Sequence, residues 1–169
     1  MSEELFDIYD EAGKHIGTAP RSECHGNPKL LHRTAHVVVF HPSAAAILLQ
    51  KRSFAKDIQP GKWDTAVGGH LALGESYEDG ARRELAEELG VTDPVELKFL
   101  FDSRIRNEIE SEDVRVFGIR RASGFRFQES EIDEIRFWDV GELFSSENRR
   151  TFTPNLCAEL DELKKRGLI

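Results

Sequence analysis

Three glutamates, Glu84, Glu87 and Glu88, are spaced so that one face of a helix would carry all three carboxylates. At about 100° per residue, positions i, i+3 and i+4 fall within roughly one 100° arc of the helix surface. Like charges held this close repel each other, so the arrangement destabilises a helix unless a cation lies among them. Carboxylate oxygens without cysteine are ligands typical of Mg²⁺ or Mn²⁺ rather than of zinc. The spacing indicates a divalent-metal site, and an ordinary solvated acidic face is the alternative interpretation.

The helix that would carry these glutamates has well-marked ends. Ser76 can cap the first turn three residues before Asp79, and Gly90 stands where a left-handed terminal residue is expected. An apolar stripe beside the carboxylates would dock the helix on a sheet: Ala81, Leu85 and Leu89. The carboxylates would then stand at the rim of a cleft. Just upstream, Gly68 and Gly69 allow close approach of the backbone and could turn a carbonyl toward the same ion.

Residues 69–91 read GHLALGESYEDGARRELAEELGV, which contains every fixed position of the Nudix box, Gx5Ex7REUxEExGU, where U is a bulky aliphatic residue. The chain therefore resembles the Nudix hydrolase superfamily. The resemblance implies a single domain over residues 1–169 with an α/β fold. The expected architecture is an α/β/α sandwich with a mixed β-sheet, in which the box forms a loop, a helix and a loop. The implied reaction is metal-assisted hydrolysis of a diphosphate linkage, typically a nucleoside diphosphate joined to another group X.

The same resemblance assigns the metal ligands and the catalytic groups. Glu84, Glu87 and Glu88, with the carbonyl of Gly69, would hold one or more Mg²⁺ or Mn²⁺ ions that neutralise charge developing at phosphorus. Glu84 and Glu88 would be the catalytic carboxylates, and Glu84 is the preferred general base. Three glutamates in an acidic stretch outside the box are the alternatives for the base: Glu129, Glu131 and Glu134.

Two further box features are expected to be structural. Arg83 would pair with Glu75 and so fix the loop against the helix. Gly80 lies inside the helix, where glycine costs about 1 kcal/mol relative to alanine. A close contact with the sheet would explain why a glycine stands there.

Outside the box the chain is similar to the isopentenyl-diphosphate isomerase branch of the superfamily, in YDEAGKHIGTAPRSECH, LLQKRSFAKDIQPGKWD and GGHLALGES. Carried over position by position, the similarity implies that Arg52 and Lys56 grip a diphosphate. It also implies a second divalent-metal site with five ligands: His25, His32, His70, Glu110 and Glu112. Gly68 occupies the position of the isomerase's catalytic cysteine, and a glycine cannot deliver a proton. We therefore rank hydrolysis above isomerisation, and we take His36 and His41 as packing or surface residues.

The substrate and the alternatives in function are less determined. Four aromatic residues could stack on a nucleobase, although such residues are more often core: Phe54, Trp63, Tyr77 and Trp138. A nucleotide-like and a prenyl-like diphosphate both stay open. Besides an isomerase-like enzyme, the alternative is a nucleotide-binding regulator that has lost turnover. The complete set of box carboxylates argues against a regulator, because a pure binder has no need to carry their repulsion.

Composition limits the class of protein and of partner. The 169 residues are 39% hydrophobic and 32% charged, as in a globular domain, and no apolar run approaches the length of a membrane span. The net charge of −8 argues against nucleic acid or an anionic membrane as partner. Two cysteines without metal-type spacing and an acidic amino terminus favour a cytoplasmic location. The expected partner is a small diphosphate, and the chain could form a homodimer.

Apolar runs and turn residues predict the remaining elements. A hairpin is expected from Leu5–Tyr9 and His15–Thr18, and a last helix from the Thr153-Pro154 cap to Gly167. Five further segments are predicted as strands: Thr34–Phe40, Ala46–Gln50, Val95–Phe101, Val114–Ile119 and Ile132–Val140.

Overall fold

The computed structural model describes residues 3–169, which form nine strands and four helices. The strands are β1 (Leu5–Tyr9), β2 (His15–Pro20), β3 (His32–Phe40), β4 (Ala46–Arg52), β5 (Trp63–Thr65), β6 (Val67–His70), β7 (Lys98–Arg106), β8 (Ser111–Arg120) and β9 (Ile132–Asp139). The helices are α1 (Arg21–Cys24), α2 (Tyr77–Leu89), α3 (Ser146–Arg149) and α4 (Pro154–Lys165), with a 3-10 turn at Val140–Glu142. Within residues 3–169, no helix combines the length and apolarity that crossing a bilayer requires.

The strands form a mixed seven-stranded sheet and a separate hairpin. The main path of the sheet runs β5-β4-β3-β8-β7, while β6 pairs with β3 and β9 pairs with β4. β3 and β8 are parallel, and the other pairs are antiparallel. β1 and β2 form the antiparallel hairpin. The central strand β3 thus contacts β8 along its whole length on one side and shares its other side between β6 and β4.

Helices cover both faces of the sheet. On one face, the stripe Ala81, Leu85 and Leu89 of α2 is fully buried against alternate residues of β3, such as Val37. On the other face, α4 buries Leu156, Leu160 and Leu163 in a second core that includes Val38. Alternation along β3 sends successive side chains to opposite cores. These three layers confirm the predicted α/β/α sandwich.

Local sequence signals located most of the elements. The Ser76 hydroxyl accepts a hydrogen bond from the Asp79 N–H, and Gly90 ends α2 with a φ of 67°. Thr153 caps α4 in the same way, through the N–H of Leu156. The predicted hairpin and three of the five further strands are confirmed with small changes at their ends, and the prediction for 46–50 extends to Arg52 as β4.

The prediction of a strand over Val95–Phe101 is partly wrong. Strand β7 begins at Lys98 and continues to Arg106, while Val95 packs against the core beside α2. The strand has an exposed edge position, and its second half pairs with β8 through charged side chains, such as Asp102 with Arg115. Charged residues on both faces hide the apolar alternation from which strands are predicted. The three- and four-residue elements β5, β6, α1 and α3 were also not predicted, because they are too short to show a period.

Candidate active site

The carboxylate of Glu84, on helix α2, lies against the main chain of β6 at Gly69, where the box begins. A Cβ atom at Gly69 would lie 2.2 Å from Cδ and 2.3 Å from Oε1 of Glu84. The carboxylate therefore occupies the volume that any side chain at position 69 would need. Gly80 serves a similar purpose in α2, since a Cβ there would lie 2.2 Å from Cδ2 of Leu71, directly after β6. This confirms the close contact expected at Gly80, made with the residue that follows the strand.

The guanidinium of Arg83 ties the parts of the box together. Its Nε and Nη2 donate to the two carboxylate oxygens of Glu75, both at 2.9 Å, which confirms the predicted pair. Nη1 donates to Glu84 at 2.7 Å and to Glu87 at 3.3 Å. Nη2 also donates to the carbonyl of His70 at 2.9 Å, which fixes the helix to β6. The hydrogen bonds that Arg83 donates to Glu75, followed by the one that it donates to Glu84, raise its pKa.

Glu84 and Glu88 point inward, whereas Glu87 is exposed. Glu88 accepts a hydrogen bond from the N–H of Gly68 at 3.0 Å and from Nε2 of Gln50 at 3.2 Å. Burial, and then the negative charge of Glu84, raise the pKa of Glu88 to about 8. Burial also raises the pKa of Glu84. Two half-buried acids that disfavour each other's charge form a suitable site for a divalent cation.

The position of the isomerase cysteine, Gly68, lies against His36. A Cβ at Gly68 would lie 3.1 Å from Cδ2 and 3.2 Å from Nε2 of the imidazole. His36 Nδ1 is hydrogen-bonded to Oε2 of Glu159 on α4 at 2.7 Å. Burial opposes the charge on His36, but Glu159 outweighs it and raises the pKa of the histidine to about 9. His36 is thus half of a buried ion pair rather than a packing residue, a role that sequence reasoning missed.

The five residues predicted for a second metal site line one cavity. His70 Nε2 lies 3.0 Å and His32 Nε2 lies 3.4 Å from Oε1 of Glu112, and ligand atoms of these three residues lie within 4.8 Å of one another. Burial opposes ionisation of Glu112, but hydrogen bonds from His32 and His70 prevail and lower its pKa. His25 and Glu110 form the wall of this cavity. We call the cluster of these five residues the histidine centre.

Neighbours of the histidine centre hold its side chains in place. The ring of Phe6 stacks on His32 and on His70, with centroid distances of 5.2 and 4.7 Å. Asn155 of α4 donates to Glu110 at 2.9 Å. Cys24, which the sequence showed only as remote from the box, lines the same cavity but is buried among apolar residues. Burial raises the pKa of its thiol to about 11, so the sulfur stays protonated at neutral pH.

Arg52 and Lys56, the predicted diphosphate ligands, lie at the end of β4 and in the loop that follows. Arg52 donates to the carbonyl of Ile58 at 3.0 Å and lies 3.5 Å from the carboxylate of Asp64. Lys56 forms an ion pair with Glu131, one of the alternative bases. Glu129 and Glu134, the other two alternatives, are exposed. The contact of Gln50 with Glu88 places the start of this loop beside the box, while the role of both cations in binding stays a prediction.

The structure separates the four candidate aromatic residues. Trp63 and Trp138 are buried in the core under α4, where their rings lie 5.2 Å apart. Tyr77 is half-buried between the guanidinium groups of Arg33 and Arg115. Phe54 alone among these four is exposed.

Comparisons with known proteins agree with this geometry. A family model described as the NUDIX domain matches residues 30–156. An uncharacterised Nudix hydrolase of Pseudomonas aeruginosa is 36% identical over 137 residues, which cover 79% of this chain and 78% of that protein. A crystal structure of a Deinococcus radiodurans protein superposes with a TM-score of 0.80 at 20% identity, covering 94% of this chain and 98% of the other, and shows the shared fold.

Other relatives match over shorter stretches. Nudix hydrolase 3 of Arabidopsis thaliana is 42% identical over 95 residues, which are 56% of this chain and only 12% of the plant protein. An isopentenyl-diphosphate Delta-isomerase of Nocardia farcinica is 44% identical over 85 residues, which are 50% of this chain and 48% of the isomerase. Since the family model spans most of the chain, and the Pseudomonas relative matches along most of both sequences, the chain belongs to the Nudix hydrolase family.

Proposed function

We propose that the protein is a metal-dependent hydrolase that cleaves a diphosphate linkage in a substrate of the nucleoside diphosphate–X type. The observation that carries this proposal is the placement of Glu84 against the bare backbone of Gly69, beside the half-buried Glu88. The predicted pair of Arg83 with Glu75, and the crowding of Glu84 and Glu88 in one half-buried site, support turnover rather than simple binding.

The residues of the box suit Mg²⁺ or Mn²⁺. Glu84 and Glu88, with Glu87 at the rim and the carbonyl of Gly69, offer only oxygen donors, which is the ligand set that hard divalent cations prefer. A cation held there would polarise the diphosphate and neutralise charge developing at phosphorus. Its positive charge would also stabilise the ionised carboxylates of Glu84 and Glu88, whose pKa values burial raises.

In hydrolysis, water adds to one phosphorus atom, the anhydride P–O bond breaks, and two phosphate-containing products leave. We assign Glu84 as the base that takes the proton from this water, because it is half-buried inside the box. Glu131 is less suited to this role, since it lies outside the box and its side chain is more exposed than that of Glu84. Arg83 holds Glu84 in position through its hydrogen bond at 2.7 Å. Arg52 and Lys56 would bind the phosphates and exchange their acidic partners for substrate oxygens.

The histidine centre is proposed as a second divalent-metal site. His32, His70 and Glu112 supply two imidazoles and one carboxylate within 4.8 Å, and His25 and Glu110 stand at its wall. This cluster also favours the second candidate function, an isopentenyl-diphosphate isomerase-like activity. We rank that activity lower because Gly68 carries no proton donor and His36 closes the space beside it.

The partner and the location are proposals as well. The expected partner is a small diphosphate, with no nucleic acid and no membrane, which the net charge of −8 supports. Cys24 and Cys157 are both free, as suits a reducing cytoplasm.

The test is a panel of nucleoside diphosphate derivatives and prenyl diphosphates incubated with Mg²⁺ or Mn²⁺, with identification of the products. We expect hydrolysis that Glu84→Gln and Glu88→Gln abolish. Glu78→Gln is the matched control, because Glu78 lies on the same helix but is exposed and pairs with Arg82. Binding without turnover across the panel would favour a regulator, and proton exchange into isopentenyl diphosphate would favour an isomerase.

A further inference from the structure

The most exposed large apolar side chain described among residues 3–169 is Phe54, of which 70% is accessible to solvent. A phenylalanine in this state forgoes most of the stabilisation that burial of its ring would give. It stands in the loop between β4 and β5, among the residues that the sequence links to phosphate binding. Trp63 and Trp138 are buried and Tyr77 is half-buried, so Phe54 is the member of that set whose ring is most open to a ligand.

The ring of Phe54 is held in place rather than loosely exposed. A Cβ atom at Gly61 would lie 2.4–2.9 Å from three consecutive carbons of the ring, so one side of the ring lies close against the bare backbone of that glycine. The loop is closed by hydrogen bonds, including Gly61 N–H to the carbonyl of Arg52 at 3.0 Å and Lys56 N–H to the carbonyl of Ser53 at 3.1 Å. A fixed aromatic surface loses little freedom when a second ring stacks on it.

The loop lies beside the catalytic end of the box. Gln50, which hydrogen-bonds Glu88, precedes Phe54 by four residues, and four residues span at most about 14 Å. The N–H of Ser53 donates to the carbonyl of Glu131 at 3.0 Å, and the N–H of Gln128 in the same segment donates to the carbonyl of Glu88 at 3.1 Å. Phe54 therefore lies within the reach of a diphosphate substrate whose phosphates contact the box.

One cation lies at this aromatic ring, in a chain that is acidic overall. The ammonium group of Lys51 lies 5.3 Å from the ring centroid, and Arg52 and Lys56 stand within two residues of Phe54 in the sequence. An exposed flat ring in a segment with three cationic residues is suited to an aromatic group joined to phosphates. A prenyl chain would instead need an enclosed apolar pocket, which an open ring does not provide.

We propose that Phe54 is the stacking platform for the nucleobase, which makes the substrate a nucleotide rather than a prenyl diphosphate. The inference rests on the proposed function for the position of the phosphates, but its test needs no turnover. The key variant is Phe54→Leu, which keeps an apolar side chain and removes the aromatic ring. Phe54→Trp should preserve stacking, and Phe99→Leu is the matched control, since Phe99 is also exposed but lies on β7.

Dissociation constants of adenosine and uridine diphosphate, and of pyrophosphate, are to be measured by calorimetry for each variant. Stacking on an aromatic side chain is worth about 1–3 kcal/mol per base, so Phe54→Leu should weaken nucleotide binding about 5- to 150-fold and leave pyrophosphate unchanged. Phe99→Leu should change neither. With Trp63 and Trp138 buried, the exposed indole of Phe54→Trp should report the nucleotide by a change in fluorescence.

Equal weakening of nucleotide and pyrophosphate binding by Phe54→Leu, or no weakening of either, would overturn the inference. So would a concentration-dependent dimer that Phe54→Leu dissociates without changing nucleotide affinity, since another copy of the chain would then cover the ring. These outcomes are independent of the hydrolase assignment. If the protein hydrolyses prenyl diphosphates and Phe54→Leu leaves nucleotide binding unchanged, the hydrolase assignment stands and Phe54 is not the stacking platform.

Discussion

Replacing Gly69 by alanine tests the geometry on which the active site depends. The φ of Gly69 lies outside the left-handed region, so the backbone accepts alanine. The new methyl group would lie 2.2 Å from Cδ of Glu84 and has to reach an ordinary contact of at least 3.4 Å, which displaces the carboxylate by about 1.2 Å. A misplacement of this size typically lowers catalysis about 100-fold. We expect Gly69→Ala to reduce kcat by that order while the protein stays folded, because the end of a flexible side chain can move.

Three measurements separate this explanation from a general disturbance. Gly141→Ala is the matched control, since a Cβ there meets no atom within 4 Å. Mg²⁺ affinity by calorimetry should fall for Gly69→Ala and stay constant for Gly141→Ala. The double variant Gly69→Ala/Glu84→Gln should lose little beyond Glu84→Gln alone, because both changes disable one interaction. Full activity and metal affinity in Gly69→Ala would show that Glu84 does not act from the observed position.

Further predictions concern charge. The pKa of His36 is raised from 6.5 to about 9, so its pair with Glu159 should contribute ~3 kcal/mol to folding below pH 6.5. This contribution should be lost as the pH rises through 9. Thermal unfolding should therefore depend on pH in this range, and His36→Gln should remove that dependence. Because burial raises the pKa of Glu88 to about 8, Mg²⁺ binding at pH 7 should release a proton, seen as a buffer-dependent enthalpy that Glu88→Gln abolishes. Arg83→Lys cannot keep both bonds to Glu75 and should cost about 2 kcal/mol of stability in denaturant titration, whereas Arg82→Lys, on the exposed side, should not.

What the sequence predicted well is what neighbouring residues determine. The caps of α2 and α4, the pairing of Arg83 with Glu75 and the tight contact at Gly80 all arise between residues at most nine positions apart. The pair of His36 with Glu159 joins residues 123 positions apart, and no periodicity in either segment announces it. The contact of Asn155 with Glu110 is likewise a consequence of packing α4 on the sheet. The histidine centre joins residues that are distant in the sequence, and it was predicted only from the resemblance to the isomerase branch.

The short strand β6 brings the contacts of the box carboxylates and the position of the isomerase cysteine together. Its last three residues are Gly68, Gly69 and His70. The N–H of Gly68 holds Glu88, the bare Cα of Gly69 admits Glu84, and the carbonyl of His70 holds the arginine of the box. A side chain at position 68 would press on His36, whose ion pair anchors α4. A cysteine at position 68 would therefore require the imidazole of His36 to shift by a few tenths of an ångström, and the bond of His36 to Glu159 would have to follow.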